Sequence, residues 1–164
     1  MIRSELANGF VETINEHAAI IYKVCHLYMA TKEEIEDLYQ EIVYQLWRSF
    51  PKFRNESKVS TWIYRVALNT AITSLSKKKA THSPITLKEL KISDENNSSR
   101  LYETKETVSK AVNCLSNNEK SIILLHIDGY KNEEIAEIVG ISLNNTAVKI
   151  NRIKEKLKSI INQQ

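Results

Sequence analysis

WRSFPKFRNESKVSTWIYRVALNTAITSLSKKK, residues 47–79, joins a basic, aromatic-bearing loop to a helix-forming segment that ends in three consecutive lysines. Cations that hold phosphates, rings that stack on bases and amides that bond base edges therefore fall within one short segment. That mixture suits single-stranded nucleic acid, where charge tracks the backbone and ring faces take the bases. Pro51 stops the helix before the loop because proline has no N–H to donate. Ser60 or Thr61 can cap the helix after it, whose core-facing set is Trp62, Ile63, Val66, Ala67, Ala71 and Leu75.

Outward from this stretch, the upstream residues supply a core for it. Phe10, Ile14, Ala18, Ile21, Val24, Cys25 and Tyr28 follow helical spacing. A second helix starts after Thr31, a cap followed by acids in the first turn. Its apolar stripe is Ile35, Leu38, Ile42, Val43, Leu46 and Trp47, which leaves Asp37, Gln40, Glu41, Gln45 and Arg48 on the polar face. Three such helices can bury one compact core.

The chain has 164 residues and a formal net charge of +3, too mild to imply a polyanionic partner by itself. The distribution says more. Glu33, Glu34, Glu36, Asp37 and Glu41 face only Lys32, whereas eight cations from Arg48 to Lys79 face only Glu56. One side is suited to a protein and another to a polyanion. Three Gly and two Pro are too few for a turn-rich all-β protein, so the expected fold is all-α. MIRSELANGF lacks a signal-like apolar core, and no stretch has the length to span a bilayer, so a cytoplasmic protein without stable membrane insertion is expected. Cys25 and Cys114 stand far apart, the four histidines are scattered, and no glycine-rich phosphate loop exists. No metal, cofactor or catalytic residue is expected.

Residues 80–104 change character, with Pro84 and the run from Ser93 to Ser99 poor in core formers. They are expected to form a flexible linker between domains at 1–79 and 105–164. Helices are expected near 104–114 and 117–128, the second with Ile122, Ile123, Leu125 and His126 toward the core and Gly129 as its stop. Asn132 then caps EEIAEIV, Gly140 turns the chain, and Ser142 precedes a last helix from about Leu143 to Ile160. A short helix, a turn and a longer helix make a helix-turn-helix, whose second helix enters the major groove. Ile135, Ala136, Val139, Ile141, Val148, Ile150 and Ile153 can fix the helix pair, and an ordinary helical hairpin is the alternative. Asn144, Asn145 and Thr146 stand where base edges are read; Lys149, Arg152, Lys154, Lys156 and Lys158 suit phosphates.

Asp37, Leu38, Gln40, Glu41, Trp47, Arg48, Phe53, Arg54, Thr61, Trp62, Ile63, Tyr64, Arg65, Val66, Ala67 and Asn69 match, in order, the pattern of one family. This part of the chain resembles region 2 of the extracytoplasmic-function (ECF) group of RNA polymerase sigma factors. YKNEEIAEIVGISLNNTAVKINRIKEKL is similar to the region of that family whose helix-turn-helix binds the minus-35 element.

The resemblance implies a division of labour. Asp37, Gln40, Glu41, Gln45 and Arg48 would dock on core RNA polymerase, at the coiled coil of its β′ subunit, with the β subunit as a further partner. Lys58, Ser60, Thr61, Tyr64, Arg65, Asn69, Lys77, Lys78 and Lys79 would engage the melted minus-10 element, Asn69 matching a position that reads a flipped base. Asn144, Asn145, Thr146, Lys149, Arg152 and Lys154 would bind the minus-35 element of promoter DNA. An anti-sigma factor is an expected partner. From its spacing Trp62 belongs to the core, while Tyr64 and Arg65 can pack or reach nucleic acid. Many members carry Gly-Thr-Val-Lys where this chain has Asn144, Asn145, Thr146 and Ala147, so one phosphate contact is lost and two amides are gained. Three rivals remain: a stand-alone helix-turn-helix regulator, a recombinase and a purely protein-binding pair of modules. The first leaves the 47–79 segment without a task, the second lacks an activated nucleophile, and the third leaves both basic faces unexplained.

Overall fold

The computed structural model describes residues 2–54, 56–81 and 99–163, with the side chains of 2–4, 79–81 and 99–105 excepted. The described residues form seven α-helices and one short 3-10 turn, with no strand among them. The helices are α1 (Ile2–Tyr28), α2 (Lys32–Ser49), α3 (Val59–Thr81), α4 (Ser99–Asn113), α5 (Asn117–Ile127), α6 (Asn132–Val139) and α7 (Leu143–Asn162). They divide into two compact units, α1–α3 and α4–α7. The linker expected over 80–104 lies mostly outside the described residues, although α3 runs to Thr81 and α4 begins at Ser99.

In the first unit each helix packs on the other two. Ile21, Val24 and Cys25 from α1, Leu38, Ile42 and Leu46 from α2, and Ile63, Ala67 and Ala71 from α3 make the core. Burial pushes the Cys25 thiol up to about 11, so it stays a neutral apolar filler. Thr31 caps α2 as expected: its Oγ1 accepts from the Glu34 N–H at 3.2 Å, and Glu34 Oε2 accepts from the Thr31 N–H at 3.3 Å. Two expectations fail locally. Helix α3 starts at Val59, and the Trp62 N–H bonds the Lys58 carbonyl at 3.1 Å, so Ser60 and Thr61 lie inside its first turn rather than capping it. Trp47, expected in the core stripe, is 37% exposed, with its ring edge-on to Phe10 at 5.1 Å.

In the second unit α5, α6 and α7 pack mutually and α4 lies on α7. Ile122, Leu125, Ile135, Ile138, Ile150 and Ile153 are its buried centre. Helix α5 opens with a capping box between Ser116 and Glu119 and ends at Gly129, whose φ is +83°. Lys131, not Asn132, is the cap position of α6; its N–H donates to Glu134 Oε2 at 3.0 Å. Val148, expected to hold the helix pair, is exposed because it faces away from α6.

Candidate nucleic-acid interface

Burial of Leu38, Ile42 and Leu46 turns the opposite side of α2 outward. Asp37, Gln40, Glu41 and Arg48 are exposed there and Gln45 is half-buried. Gln45 Nε2 donates to Glu41 Oε1 at 2.7 Å, and the Arg48 guanidinium lies over the Tyr44 ring at 5.7 Å. The five residues thus share one continuous acceptor-rich face. Beside it runs a shallow apolar groove lined by Phe10, Val11, Tyr39, Val43, Tyr44 and Trp47. The sequence reading missed this groove. Its signal was Tyr44 and Trp47 three residues apart, too large for a polar face.

Aromatic packing fixes the loop after α2. The Phe53 ring stacks on Trp62 with centroids 4.7 Å apart and planes 24° apart; Phe50 meets the same ring at 6.2 Å. Trp62 is thereby buried, as its spacing required. Along α3, Arg65 and Asn69 follow Trp62 at helical spacing on the same side, half-buried and exposed respectively. The Phe53 anchor therefore places the basic loop, with exposed Lys52, Arg54 and Lys58, at one end of the Arg65–Asn69 face.

Three residues expected at the DNA are buried in their own units. Thr61 is 3% exposed, Tyr64 1% and Thr146 0%, so each belongs to the packing of its unit. Ser60 is half-buried in the first turn of α3. Lys77 is exposed, while Lys78 Nζ lies 3.0 Å from Glu34 Oε1 and ties the end of α3 to the start of α2. Burial raises the Glu34 carboxyl, but the Lys78 bond and the Thr31 and Ala30 N–H groups outweigh it and hold the group below the usual carboxylate range. Lys79 lies in α3, its side chain outside the described set.

The second unit presents α7 through a tight turn. Gly140 adopts φ +77°, and the N–H groups of Gly140 and Ile141 both bond the Ala136 carbonyl, at 2.9 and 3.1 Å. Ser142 then caps α7, its Oγ accepting from the Asn145 N–H at 3.3 Å. Thr146 donates both its N–H and its Oγ1 hydroxyl to the Ser142 carbonyl, each at 3.0 Å. That bonding explains its burial: the threonine locks the first turn instead of leaving it. Asn144, Asn145, Arg152 and Lys154 are exposed and Lys149 is half-buried. Lys156 pairs with Glu119 Oε2 at 3.2 Å and braces α7 against α5. Among the described residues, no group of three or more His, Cys, Asp or Glu is placed to hold a metal, and no helix is long and apolar enough to cross a membrane.

Two family models match in order along the chain: Sigma-70 region 2 over residues 13–81 and Sigma-70, region 4 over residues 105–157. The chain is 24% identical over 164 residues to the ECF RNA polymerase sigma factor SigW of Bacillus subtilis (strain 168), covering 92% of this chain and 88% of SigW. It is 26% identical over 149 residues to RNA polymerase sigma factor SigV of the same organism, covering 87% and 84% of the two chains. Its fold matches the sigma factor RpoE of Bartonella quintana, solved in complex with the anti-sigma factor NepR, with a TM-score of 0.76 at 16% identity over 94% of this chain and 97% of that one. The two regions in order, on two helical units with a helix-turn-helix in the second, make this chain a member of the ECF group of RNA polymerase sigma factors, which act in promoter recognition for transcription initiation.

Proposed function

We propose that the α2 face of Asp37, Gln40, Glu41, Gln45 and Arg48 docks on the β′ coiled coil of core polymerase, with β as a further contact. Its acceptors suit a basic partner, and the neighbouring apolar groove supplies buried area that charges alone lack. The loop with Lys58, then Ser60, Arg65, Asn69, Lys77, Lys78 and Lys79, engages the melted minus-10 strand. Asn144, Asn145, Lys149, Arg152 and Lys154 bind the minus-35 duplex. Thr61, Tyr64 and Thr146 drop out of these sets because they are core residues.

The observation that carries this reading is the Phe53–Trp62 stack, which seats a basic loop beside Arg65 and Asn69. A cationic strip next to an exposed amide suits a single strand with one base turned out. The protein is a non-catalytic initiation subunit acting in the cytoplasm, domains 1–79 and 105–164 joined by a linker at 80–104. Two weak DNA contacts on linked modules act together only when the span between them is set, so polymerase is needed for tight binding. An anti-sigma factor covering the helical faces would hold the protein inactive; the RpoE structure, solved with NepR, supports such a partner.

Binding of a forked promoter tests the reading. Core polymerase with this protein should retain a fork whose non-template minus-10 strand is unpaired, and neither component alone should. Glu41→Lys, which sets a cation against the basic partner, should abolish the polymerase-dependent step. Asn69→Ala should lose about tenfold, at one base position only, as a lost bidentate amide contact does. Equal affinity for duplex DNA with and without polymerase would favour the stand-alone regulator instead.

A further inference from the structure

Val148 is 46% exposed in the middle of a well-capped helix. At 3.6 residues per turn it points nearly opposite to Thr146, Ile150 and Ile153, the buried line of α7. Asn144 and Arg152, both exposed, stand one turn to either side of it on the outer line. Folding gives no reason for a valine there. A β-branched side chain lowers helix propensity and an exposed one gains little from burial. Alanine, lysine or glutamate would suit a solvated position better.

The surroundings give the reason. Residues on this line face the major groove when α7 acts as a recognition helix. The apolar feature that base pairs present in that groove is the C5-methyl of thymine. An apolar side chain between an amide and a guanidinium matches a thymine set between hydrogen-bonding base edges or phosphates. Exposed Glu155, one turn beyond Arg152, bounds this surface, since its carboxylate is repelled by phosphates.

We infer that Val148 is a specificity-determining residue that reads one thymine methyl group in the minus-35 element. This rests on α7 being the minus-35 reader. It adds that one position of the element is chosen by its methyl group and not by a hydrogen bond.

The test uses core polymerase, the full chain and its strongest selected promoter. Each minus-35 thymine, on either strand, is replaced singly by deoxyuridine, which keeps pairing and O4 and removes only the methyl. With the wild-type protein, one replacement should lower initiation about fourfold, the effect of losing one buried methyl-sized contact. With Val148→Ala, the same replacement should have no effect, and the unmodified promoter should be as weak as the wild type on the uridine promoter. Alanine favours the helix, so circular dichroism should show Val148→Ala fully folded. Wild-type indifference to every uridine, or equal sensitivity of Val148→Ala, overturns the proposal. If the wild type gives no minus-35-dependent initiation on the unmodified promoter, the assignment of α7 itself fails, and that arm is read first.

Discussion

Removing the Phe53 ring should release the minus-10 loop while leaving the polymerase face intact. Phe53 is half-buried and stacked on Trp62 at 4.7 Å. A stacked aromatic pair contributes about 0.5–1.5 kcal/mol beyond its area. Half-burial of a phenylalanine adds roughly 1 kcal/mol. Phe53→Ala should therefore shift the loop from docked to released by roughly 1.5–2.5 kcal/mol, about 10- to 60-fold in the equilibrium. The loop carries Lys52, Arg54 and Lys58, so fork binding should weaken toward the same factor. Core-polymerase affinity should stay within about twofold, because α2 is held by Leu38, Ile42 and Leu46 and not by Phe53. Trp62 reports the change directly. In a Trp47→Phe background it is the one remaining tryptophan, and its emission should move to longer wavelength once Phe53 no longer covers it. Unchanged emission together with unchanged fork binding would refute the anchoring argument. Equal loss of polymerase and fork binding would show that the ring supports the whole unit instead.

Thr146→Val should keep minus-35-dependent transcription within about twofold and lower stability by no more than about 1 kcal/mol, since the Ser142 carbonyl keeps its backbone donor. A large, base-specific transcription defect would restore Thr146 as a reader. Gly140→Ala should lower stability by about 1–2 kcal/mol through backbone strain at φ +77°, read as a shift in the urea midpoint, because the added Cβ meets nothing within 4 Å. Glu119 is held below its ordinary value of 4.5, chiefly by the Ser116 N–H, against opposing burial and with help from Lys156. A depressed folded value means that the unfolded chain binds more protons. The carboxylate's contribution is therefore complete above 4.5 and is lost as pH falls through the lower folded value. Glu119→Gln should lose midpoint stability at about pH 7 and converge on the wild type as pH falls below the lowered folded value; a gap that stays constant on acidification would contradict it.

The periodicities were enough for the helical fold, since Ile21, Leu38, Ile42, Ile63 and Ala71 all fall inside where the spacing puts them. Caps were legible where the chemistry is local, as in the Thr31–Glu34 pair, and slipped by a residue or two at the start of α3, which is Val59. The site residues were harder to read. Tyr64 and Thr146 are polar residues within motif positions, and only tertiary packing reveals that each points inward. Conversely, Trp47 continues an apolar stripe by sequence but lies where the stripe meets solvent, and Val148, apolar in sequence, stands nearly opposite the buried line of α7. Lys78 shows a third limit: its partner Glu34 is 44 residues away, beyond any local pattern.

Run-off transcription with bacterial core polymerase on a promoter library decides whether the protein acts as a sigma factor. Transcripts should appear only when this protein is added, from starts that share two spaced elements, and Asn69→Ala should alter only the downstream minus-10 element and Val148→Ala only the upstream minus-35 element. Absence of polymerase binding and of new starts would contradict the account and leave a helix-turn-helix protein that binds duplex DNA alone.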